Sequence, residues 1–377
     1  MSGWGVYGLN LTLELRKQDR NPVWVLPPHL LDVDNLTTAV LEPVLKRQHN
    51  LSELLEKTGF LEFDFPALHA LRNDFLPSLE DQVIRGSRNI GVIFFENTDF
   101  SNAGLARAQK YDLIITGSTW NKERLEAYGL THVVTVFQGI DDTLFRAENE
   151  SAGYPGRFVI FSGGKLEYRK AQDVVIAAFR EFQRTHEDAL LLCAWANQWP
   201  RIMPTIARSP HVVGAPNIQR DGSLDISSWL LANGLPHGSF VDLGMPPNKD
   251  VSAFLAASNA AIFPNRCEPG TNLVAMEAMA SGLPVILSAN TGHLDLIEDG
   301  NSYVLHRQTP VAPYGPYTGV EGWGEPDVEE VLSHLTQIYE DRKTAVARGM
   351  AAANTMKRFA WGGQISQLLV HVDRLTG

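Results

Sequence analysis

The chain has 377 residues, of which 44% are hydrophobic and 20% are charged, so it is long enough for two globular domains of ordinary composition. Its net charge of −11 argues against nucleic acid as a partner, because nucleic-acid binding depends largely on neutralising phosphates. No apolar run reaches the roughly 18 residues of a membrane span, and no basic segment leads into an apolar core at the start. We therefore expect a cytoplasmic protein without a membrane span.

The chain opens with the pattern G-x-G-x-x-G at residues 3–8, the fingerprint of dinucleotide binding. That fingerprint requires a strand before its first glycine and an acidic residue at the end of the next strand. Only two residues precede Gly3, and the next predicted strand, VWVL at 23–26, is followed by two prolines. An NAD enzyme is therefore disfavoured. The pattern is either a turn that opens a helix or, slightly favoured, a loop facing a ligand cleft through Gly3 and Gly5.

Short apolar runs then alternate with amphipathic helical stretches along the chain. Runs that are apolar throughout are typical of parallel strands covered on both faces. The predicted strands are NIGVIFF (89–95), DLIIT (112–116), HVVTVF (132–137), RFVIFS (157–162), ALLLCAWA (189–196), SFVDLG (239–244), AAIFP (260–264) and PVILS (284–288). Residues 308–327 are rich in Gly and Pro and are expected to form a long irregular loop.

A polar segment that contains Gly and Pro occupies residues 141–157, and a second series of strands and helices starts after it. This change in composition is typical of a linker. We therefore predict an α/β protein with two doubly wound, Rossmann-like domains facing a central cleft, residues 1–150 and 151–357.

The cysteines and histidines do not suggest a metal centre. Cys193 and Cys267 are the only cysteines, which fits a reducing compartment and excludes a cysteine-rich zinc cage. The histidines of the first half also lack the spacing of metal ligands; they are His29, His49, His69 and His132. The sequence therefore predicts neither a metal nor a cofactor.

The stretch RCEPGTNLVAMEAMASGLPVI at residues 266–286 combines features of an anion site. A strand ends just before it, a tight segment passes through Gly270, and Thr271 or Asn272 would cap a helix. A helix N-terminus at the end of a parallel strand binds anions. Glu277 lies about five residues into this helix, roughly 7–8 Å along its axis, so a bound phosphate would leave this carboxylate near the adjoining sugar. Its apolar neighbours argue against the alternative, a solvated helix residue.

At this point the sequence resembles a known family. The stretch is similar to the double-glutamate motif of retaining GT-B glycosyltransferases of family 4, the glycosyl transferases group 1. The resemblance covers most of residues 89–377, and the other similar segments are DLIITGSTWNKERLEAYGL (112–130), VFQGIDDTLF (136–145), FSGGKLEYRKAQDVVIAAF (161–179) and FAWGGQISQLLVHV (359–372). The last resembles a terminal helix that crosses back onto the N-terminal domain, which implies that residues 358–377 belong with that domain.

The resemblance implies metal-independent transfer of a sugar with retention of configuration. The donor, a nucleotide-sugar such as a UDP- or GDP-hexose, would bind the C-terminal domain. An acceptor of unidentified chemistry, whether small molecule, glycan or protein, would bind the N-terminal domain. By the matching positions, two cations, Lys165 and Lys170, would stabilise the leaving diphosphate. Glu268 would hold sugar hydroxyls, and Glu277 would hold the ribose.

The remaining donor contacts implied by the resemblance come from backbone groups. They are Gly164 in the lysine loop and the amides of Gly270, Thr271, Asn272 and Leu273. Lys165 and Lys170 also follow a buried strand in a Gly-Gly loop, where parallel sheets bind their ligands, although two solvated loop lysines are the alternative.

Two departures from the family pattern are visible. Eight residues separate Glu268 from Glu277 where the motif has seven, so a one-residue bulge is needed to bring Glu268 to the sugar. The histidine that many members carry after the fourth N-domain strand is missing from FFENTDFSN at 94–102. Glu96 is our candidate for lining the cleft there, and a helix cap formed by Thr98 or Asp99 is an equal alternative.

Two other functions remain open on the same fold. A nucleotide-sugar epimerase would need acid and base groups near the sugar, and no paired set stands out. A non-catalytic nucleotide-sugar-binding relative would explain the altered spacing, but the presence of Lys165, Lys170 and Glu277 counts against it. His293, in a loop after a predicted strand, could reach the donor or could be a packed histidine.

Overall fold

The computed structural model describes residues 3–26, 31, 33–78, 80–147, 153–197, 199 and 201–376. The chain divides into two compact units, one of residues 1–139 with 359–377 and one of residues 140–358. The first boundary thus lies between Gly139 and Ile140 rather than after residue 150. The reason is that residues 140–147 of the predicted linker pack with the second unit. His29 lies outside the described residues.

The first unit contains a parallel four-stranded sheet with helices around it. Its helices are α1 (Gly3–Lys17), α2 (Asn35–Thr58), α3 (Asn102–Ala108), α4 (Thr119–Ala127) and the last helix of the chain (Trp361–Thr376). Its strands are β1 (Leu61–Glu62), β2 (Ala67–Leu71), β3 (Ile84–Arg85), β4 (Asn89–Ile93), β5 (Leu113–Thr116) and β6 (Val133–Thr135). The sheet has the order β2-β4-β5-β6, β1 pairs with β3 separately, and the last helix packs against α1.

The opening glycine pattern lies inside α1, so the prediction that Gly3 and Gly5 form a cleft loop is wrong. The helix starts at Gly3 and places the buried side chain of Tyr7 against other aromatic rings. The Tyr7 ring centroid is 5.8 Å from that of Phe94 and 5.9 Å from that of Trp361. Burial of aromatic surface on one helix face offsets the cost of glycine in a helix, about 1 kcal/mol per residue.

The predicted strand VWVL is also wrong, because residues 23–26 form no strand. Trp24 instead donates its indole N–H to Thr12 Oγ1 at 2.7 Å, which ties this segment to α1. Pro22 stands on one side of it and two prolines follow on the other, so backbone donors that a sheet would need are missing.

The second unit contains a six-stranded parallel sheet. Its strands are β7 (Phe158–Lys165), β8 (Ala189–Ala196), β9 (Phe240–Asp242), β10 (Ala260–Phe263), β11 (Val285–Ser288) and β12 (Tyr303–Leu305). Its helices are α5 (Gln172–Gln183), α6 (Ile226–Ala232), α7 (Asn248–Ala256), α8 (Leu273–Ala280), α9 (Val328–Glu340) and α10 (Arg342–Met356), so that the terminal helix of the first unit is α11. The eight strands predicted from residue 89 onward are confirmed with shifts of a few residues at their ends.

The strand order β12-β11-β10-β7-β8-β9 decides where this sheet can bind a ligand. The chain runs from β7 outward to β9 on one side, then returns to place β10 on the other side of β7. Between β7 and β10 the strand order reverses, and open parallel sheets bind their ligands at such a reversal, beyond the carboxyl ends of the strands. The buried side chains of α5, among them Val175 and Phe179, cover one face of the sheet and hold these strand ends in place.

The expected irregular loop at 308–327 is partly ordered. It forms a small antiparallel pair, β13 (Gln308–Pro310) and β14 (Gly324–Pro326). Between them Tyr314, Tyr317 and Trp323 bury their rings against one another, with centroids 5.1–6.3 Å apart. The prediction failed here because aromatic contacts between distant turns leave no periodic pattern in the sequence. Among the helices in the described ranges, none is both long and apolar enough to cross a bilayer.

Candidate functional site

The charged residues of the candidate site follow the two strands that flank the reversal of strand order. Lys165 is the last residue of β7, and a 3-10 turn, Tyr168–Lys170, comes directly after it. Glu268 lies in the loop that follows β10. Because β7 and β10 are parallel neighbours, both loops emerge at the same edge of the sheet.

The structure brings Lys170 and Glu268 into direct contact, with Lys170 Nζ bonded to Glu268 Oε1. Asn265 Nδ2 donates to the same oxygen at 2.6 Å, and Arg169 Nη1 lies 3.6 Å from it. Burial by itself would raise the pKa of Glu268, but the charges of Lys170 and Arg169 outweigh it and lower the pKa to about 2. Glu268 is therefore a buried carboxylate held by cations.

Burial lowers the pKa of Lys170, the opposite of its effect on a carboxyl group, and the neighbouring Glu268 raises the pKa of Lys170. Removing Glu268 would take from the buried Lys170 its closest counter-charge, a loss that typically costs about 3–5 kcal/mol.

A second buried carboxylate, Glu167, lies between Lys165 and Lys170 in the chain and interacts with the charges of both. Arg169 Nη2 donates to Glu167 Oε1 at 2.6 Å, and Lys165 Nζ lies 3.8 Å from that oxygen. Burial alone would raise the pKa of Glu167, but Arg169, Lys165 and Lys170 together lower it. The cluster of Lys165, Arg169 and Lys170 with Glu167 and Glu268 therefore has three cations and two carboxylates, a net charge of +1. Such a cluster favours an anionic ligand.

Lys165 is the more accessible of the two predicted lysines, with 30% of its side chain exposed against 13% for Lys170. Its ammonium lies 4.6 Å from the ring centroid of Trp199, a cation–π contact at the end of β8. Gly164, just before it, has a φ of +131°, a backbone conformation that a residue with a Cβ rarely adopts. The glycine therefore sets the direction in which the lysine loop leaves β7.

The predicted helix after the motif is confirmed as α8, and Asn272 is its N-cap residue. Asn272 has a left-handed backbone (φ 63°, ψ 86°), and its side chain does not cap the helix. Its amide Nδ2 lies 3.0 Å from Nε2 of His293 instead. Because Asn272 directs its amide to a histidine, it leaves the first-turn N–H groups of α8 without a side-chain cap from this residue. Uncapped N–H groups at a helix start are donors suited to an anion.

His293 is fully buried, and burial lowers its pKa to about 4 in spite of the nearby Glu268 carboxylate. The imidazole is thus neutral at pH 7, and its Nε2 accepts the hydrogen bond from Asn272. The histidine is therefore packed rather than on the surface, and its contact with the donor stays a prediction.

Close backbone packing fixes the loop between Glu268 and α8. The Glu268 N–H donates to Thr291 Oγ1 at 2.7 Å, and the Gly292 N–H donates to the Glu268 carbonyl at 2.9 Å. A Cβ on Gly292 would lie 1.8 Å from the carbonyl oxygen of Gly270, so only glycine fits. Thr271, next in the loop, is buried and directs its hydroxyl to Met276 Sδ at 2.9 Å.

Glu277 is buried on α8, where Asn248 Nδ2 donates to its Oε1 at 3.0 Å. Burial raises the pKa of Glu277 to about 7, and the hydrogen bond from Asn248 only partly opposes this. The prediction that Glu277 does not lie on a solvated helix face is confirmed. Its carboxyl group can accept or donate hydrogen bonds near neutral pH, which suits a pair of hydroxyl groups.

Glu96 belongs to the first unit, in the segment after β4, and is half-buried. The nearby Asn97 Oδ1 accepts from the Asp99 N–H at 3.4 Å, and the Thr98 carbonyl accepts from the Tyr128 hydroxyl at 2.8 Å. The helix that follows, α3, is capped by Ser101, so the alternative of a cap by Thr98 or Asp99 is wrong.

Sequence reasoning missed three residues that support the site, Arg266, Asp173 and Glu325. Arg266 Nη1 and Nη2 donate to the two oxygens of Asp173 at 2.8 and 2.6 Å, and both side chains are fully buried. A signal existed for Asp173, which directly precedes the apolar run VVIAAF, but not for Arg266, whose neighbours are mostly polar. Glu325, in a loop of mixed composition, gave no such signal.

Over the described part of the chain, no three His, Cys, Asp or Glu side chains form a group that could hold a metal ion. Cys193 and Cys267 are both buried, and neither takes part in a disulfide.

Parts of the chain are similar to known proteins. Residues 145–312 match the family model described as Glycosyl transferases group 1, a segment that contains Lys165, Lys170, Glu268 and Glu277. Two curated relatives are spore coat protein SA of Bacillus subtilis, 24% identical over 46% of this chain and 44% of the relative, and D-inositol 3-phosphate glycosyltransferase of Acidothermus cellulolyticus, 27% identical over 52% and 42%. The matched regions thus span less than half the length of either relative.

Solved structures show the fold. Sucrose-phosphate synthase from Thermosynechococcus elongatus has a TM-score of 0.67 at 15% identity, covering 100% of this chain and 94% of that one. HepE from Anabaena in complex with UDP-glucose has a TM-score of 0.61 at 13% identity, covering 97% and 96%. The chain therefore has the mixed α/β fold with parallel sheets of GT-B glycosyltransferases, and a segment of its second unit matches the glycosyl transferases group 1 model.

Proposed function

We propose that the protein is a retaining glycosyltransferase that takes a sugar from a nucleotide-diphosphate donor bound by the second unit, without a metal ion. The observation that carries the proposal is the contact of Lys170 with Glu268 at the reversal of strand order, within the segment that matches the glycosyl transferases group 1 model. Cations, uncapped N–H groups and a buried carboxyl group lie there in loops from adjacent strands.

The cations serve the leaving group in this proposal. The anomeric C–O bond breaks, its electron pair stays on the diphosphate, and negative charge develops at the bridging oxygen. Lys165, Lys170 and the first N–H groups of α8 would stabilise that charge, which is the role of preorganised donors in a transition state. The acceptor hydroxyl oxygen forms the new bond on the face that the diphosphate leaves, and its proton passes to the departing diphosphate.

The two glutamates divide the recognition of the donor. Glu268, an anion with a pKa of about 2, would accept hydrogen bonds from sugar hydroxyls while it holds Lys170 in place. Glu277, with a pKa of about 7, would bind the two ribose hydroxyls. Glu96 of the first unit would act on the acceptor side.

The identity of the base is the first unknown to resolve. UDP is the diphosphate to test first, because the solved complexes of HepE with UDP and with UDP-glucose share the fold of this chain. The same complexes do not bear on the acceptor.

The test is a thermal-shift and calorimetric panel of UDP, GDP, ADP and their hexose derivatives, with NAD as a negative ligand. A ligand that binds only the folded protein raises the Tm by mass action. We expect a shift with one nucleoside diphosphate that Lys170→Ala and Glu277→Ala both reduce. Glu298→Gln is the matched control, since Glu298 is paired with Arg358 outside the candidate site.

A shift with none of the diphosphates would overturn the proposal. Consumption of a nucleotide-sugar without any acceptor, with formation of its epimer, would replace it with the epimerase alternative. Binding without turnover across an acceptor panel would support the non-catalytic relative instead.

A further inference from the structure

A fully buried arginine, Arg266, connects the donor-side loops to residues 308–326, the segment that contains β13 and β14. Its Nη1 and Nη2 pair with Asp173, and its Nε and Nη2 donate to the two oxygens of Glu325 at 2.5 and 2.6 Å. A buried guanidinium is stable only when its donors are satisfied in this way. Two carboxylates therefore fix the plane of this side chain.

Arg266 in turn holds the 3-10 turn that carries Lys170. Its Nη1 donates to the Tyr168 carbonyl at 2.5 Å, and its guanidinium lies 3.7 Å from the centroid of the Tyr168 ring. Its own backbone N–H donates to the Arg169 carbonyl at 2.8 Å. One residue thus binds two successive residues of the turn, directly before Lys170, and lies two positions before Glu268 in the chain.

Glu325 fixes this arrangement from the outside. It lies on β14, 25% of its side chain is exposed, and it accepts from Arg266 and, at 2.8 Å, from the Tyr168 hydroxyl. The neighbouring Gly324 N–H donates to the Arg266 carbonyl at 3.0 Å. The β13–β14 pair therefore contacts both Arg266 and Tyr168, the residue of the turn to which Arg266 is bonded.

Residues 308–326 also contact the cation cluster, through Tyr317. The Tyr317 hydroxyl donates to Glu167 Oε2 at 3.2 Å, the carboxylate that also binds Arg169. Residues 308–326 thus reach the donor-side turn at two points, through Glu325 and through Tyr317.

We propose that Glu325 and Arg266 are positioning residues for diphosphate binding: they hold the Tyr168–Lys170 turn so that Lys170 meets Glu268, and β13–β14 acts as a brace for the donor site. This inference rests on the proposed function. Neither residue is among the groups proposed to contact the donor. Their effect passes through Lys170, so it concerns the phosphate contacts rather than the recognition of the nucleoside.

The test compares a nucleoside diphosphate with its monophosphate. Binding of UDP and UMP, or of the corresponding pair that the panel identifies, is measured by calorimetry and ligand-observed NMR for wild type, Glu325→Ala and Glu325→Gln. We expect Glu325→Ala to weaken diphosphate binding about tenfold and monophosphate binding less than twofold. Glu325→Gln keeps part of the hydrogen bonding and should lose less. Glu298→Gln, another arginine-paired glutamate, should leave both affinities unchanged.

The outcomes separate the two proposals. Equal losses of diphosphate and monophosphate affinity, or no loss in either Glu325 variant, would overturn the bracing role while the glycosyltransferase proposal stands. If wild type binds none of UDP, GDP or ADP, both proposals fail together. Should Glu325→Ala not fold, the comparison is made on Glu325→Gln, whose paired measurement decides in the same way.

Discussion

The loops that follow the strands of the two parallel sheets are held by different interactions. After β4 of the first unit, Phe94 packs edge-on against Trp4, with ring centroids 4.8 Å apart, and a Cβ on Gly117 would lie 1.9 Å from the Phe94 ring. After β7 and β10 of the second unit, the corresponding loops bury Lys170 against Glu268. One strand end is thus held by ring packing and the other by paired charges.

This difference indicates how each end responds to substitution. The hydrophobic burial of these rings does not depend on a charged partner, so a neighbouring polar residue such as Glu96 can change without disturbing it. A buried ion pair depends on both partners, and loss of one leaves a charge that nothing solvates. We therefore expect large and coupled effects in the second unit and small, separable effects in the first.

The comparison is tested most strongly at Glu268. Glu268→Gln removes the charge opposite Lys170, and we expect turnover to fall by about a hundredfold or more, the range seen when one preorganised charge contact is removed. Turnover is measured by release of the nucleoside diphosphate from the donor identified in the panel. Turnover equal to that of wild type would remove Glu268 from the site.

The lowered pKa of Glu268 also predicts that the folded protein loses stability in acid. The pKa of Glu268 is lowered in the folded protein, so its stabilising contribution is present above the ordinary glutamate range and is lost as the pH falls towards about 2. Thermal unfolding scans from pH 6 to pH 2.5 should show a smaller loss of Tm for Glu268→Gln than for wild type. Parallel curves would contradict the buried ion pair.

The raised pKa of Glu277 predicts the opposite dependence, a contribution to stability that is lost as the pH rises. Its pKa is raised to about 7, so its neutral form favours folding at low pH and that contribution is lost as the pH rises through about 7. Glu277→Gln should therefore be more stable than wild type at pH 8, by up to about 3 kcal/mol, and similar to it at pH 4. Urea unfolding at both pH values measures this difference.

A functional cost should accompany that gain. If Glu277 binds the ribose, Glu277→Gln must weaken nucleoside diphosphate binding at pH 7 although the protein is no less stable. A variant that is more stable and binds as well as wild type would make Glu277 a structural residue only.

Lys165 sharpens the contrast between a buried and an accessible cation. It is 30% exposed and rests on Trp199, so its field is screened more than that of Lys170. We expect Lys165→Ala to weaken diphosphate binding about tenfold at low salt, less than Lys170→Ala, with little change in Tm. Titrations of the diphosphate at 50 and 300 mM NaCl measure this loss of affinity. A loss in Lys165→Ala as large as that in Lys170→Ala would contradict the expectation that the buried lysine contributes more.

The smallest effect is expected in the first unit. Glu96→Gln should leave the affinity for the nucleoside diphosphate unchanged and lower transfer to the acceptor by about tenfold, less than the roughly 10²–10⁴-fold that a general acid or base contributes. The two readouts are calorimetry and product formation. A change in diphosphate affinity, or no change in transfer, would count against an acceptor-side role.

In the second unit the sequence predicted the strands and the helix around the candidate site correctly, because the information for these elements is local. The stretch at 266–286 contains a strand end, a tight turn and a helix start in immediate succession, and α8 was confirmed where the cap residues indicate it. The lysines could likewise be found from the Gly-Gly loop after a buried strand. These features need only neighbouring residues to be recognised.

The sequence failed where a distant contact overrides a local preference. The glycines at the start join a helix because Tyr7 finds Phe94 and Trp361, both far away in the chain. The irregular loop at 308–327 gains strands because Glu325 reaches Arg266. Local propensity amounts to about 1 kcal/mol per residue, and tertiary burial readily exceeds it.

By itself the sequence thus determined the class of fold, the order of the strands along the chain and the segments that carry charge. Only the tertiary structure decided that β10 lies beside β7, and this pairing alone brings Lys170 to Glu268 across 98 positions of sequence. The reason is physical: strand periodicity is written in adjacent residues, whereas the pairing of parallel strands depends on how crossover helices pack, which no single segment encodes.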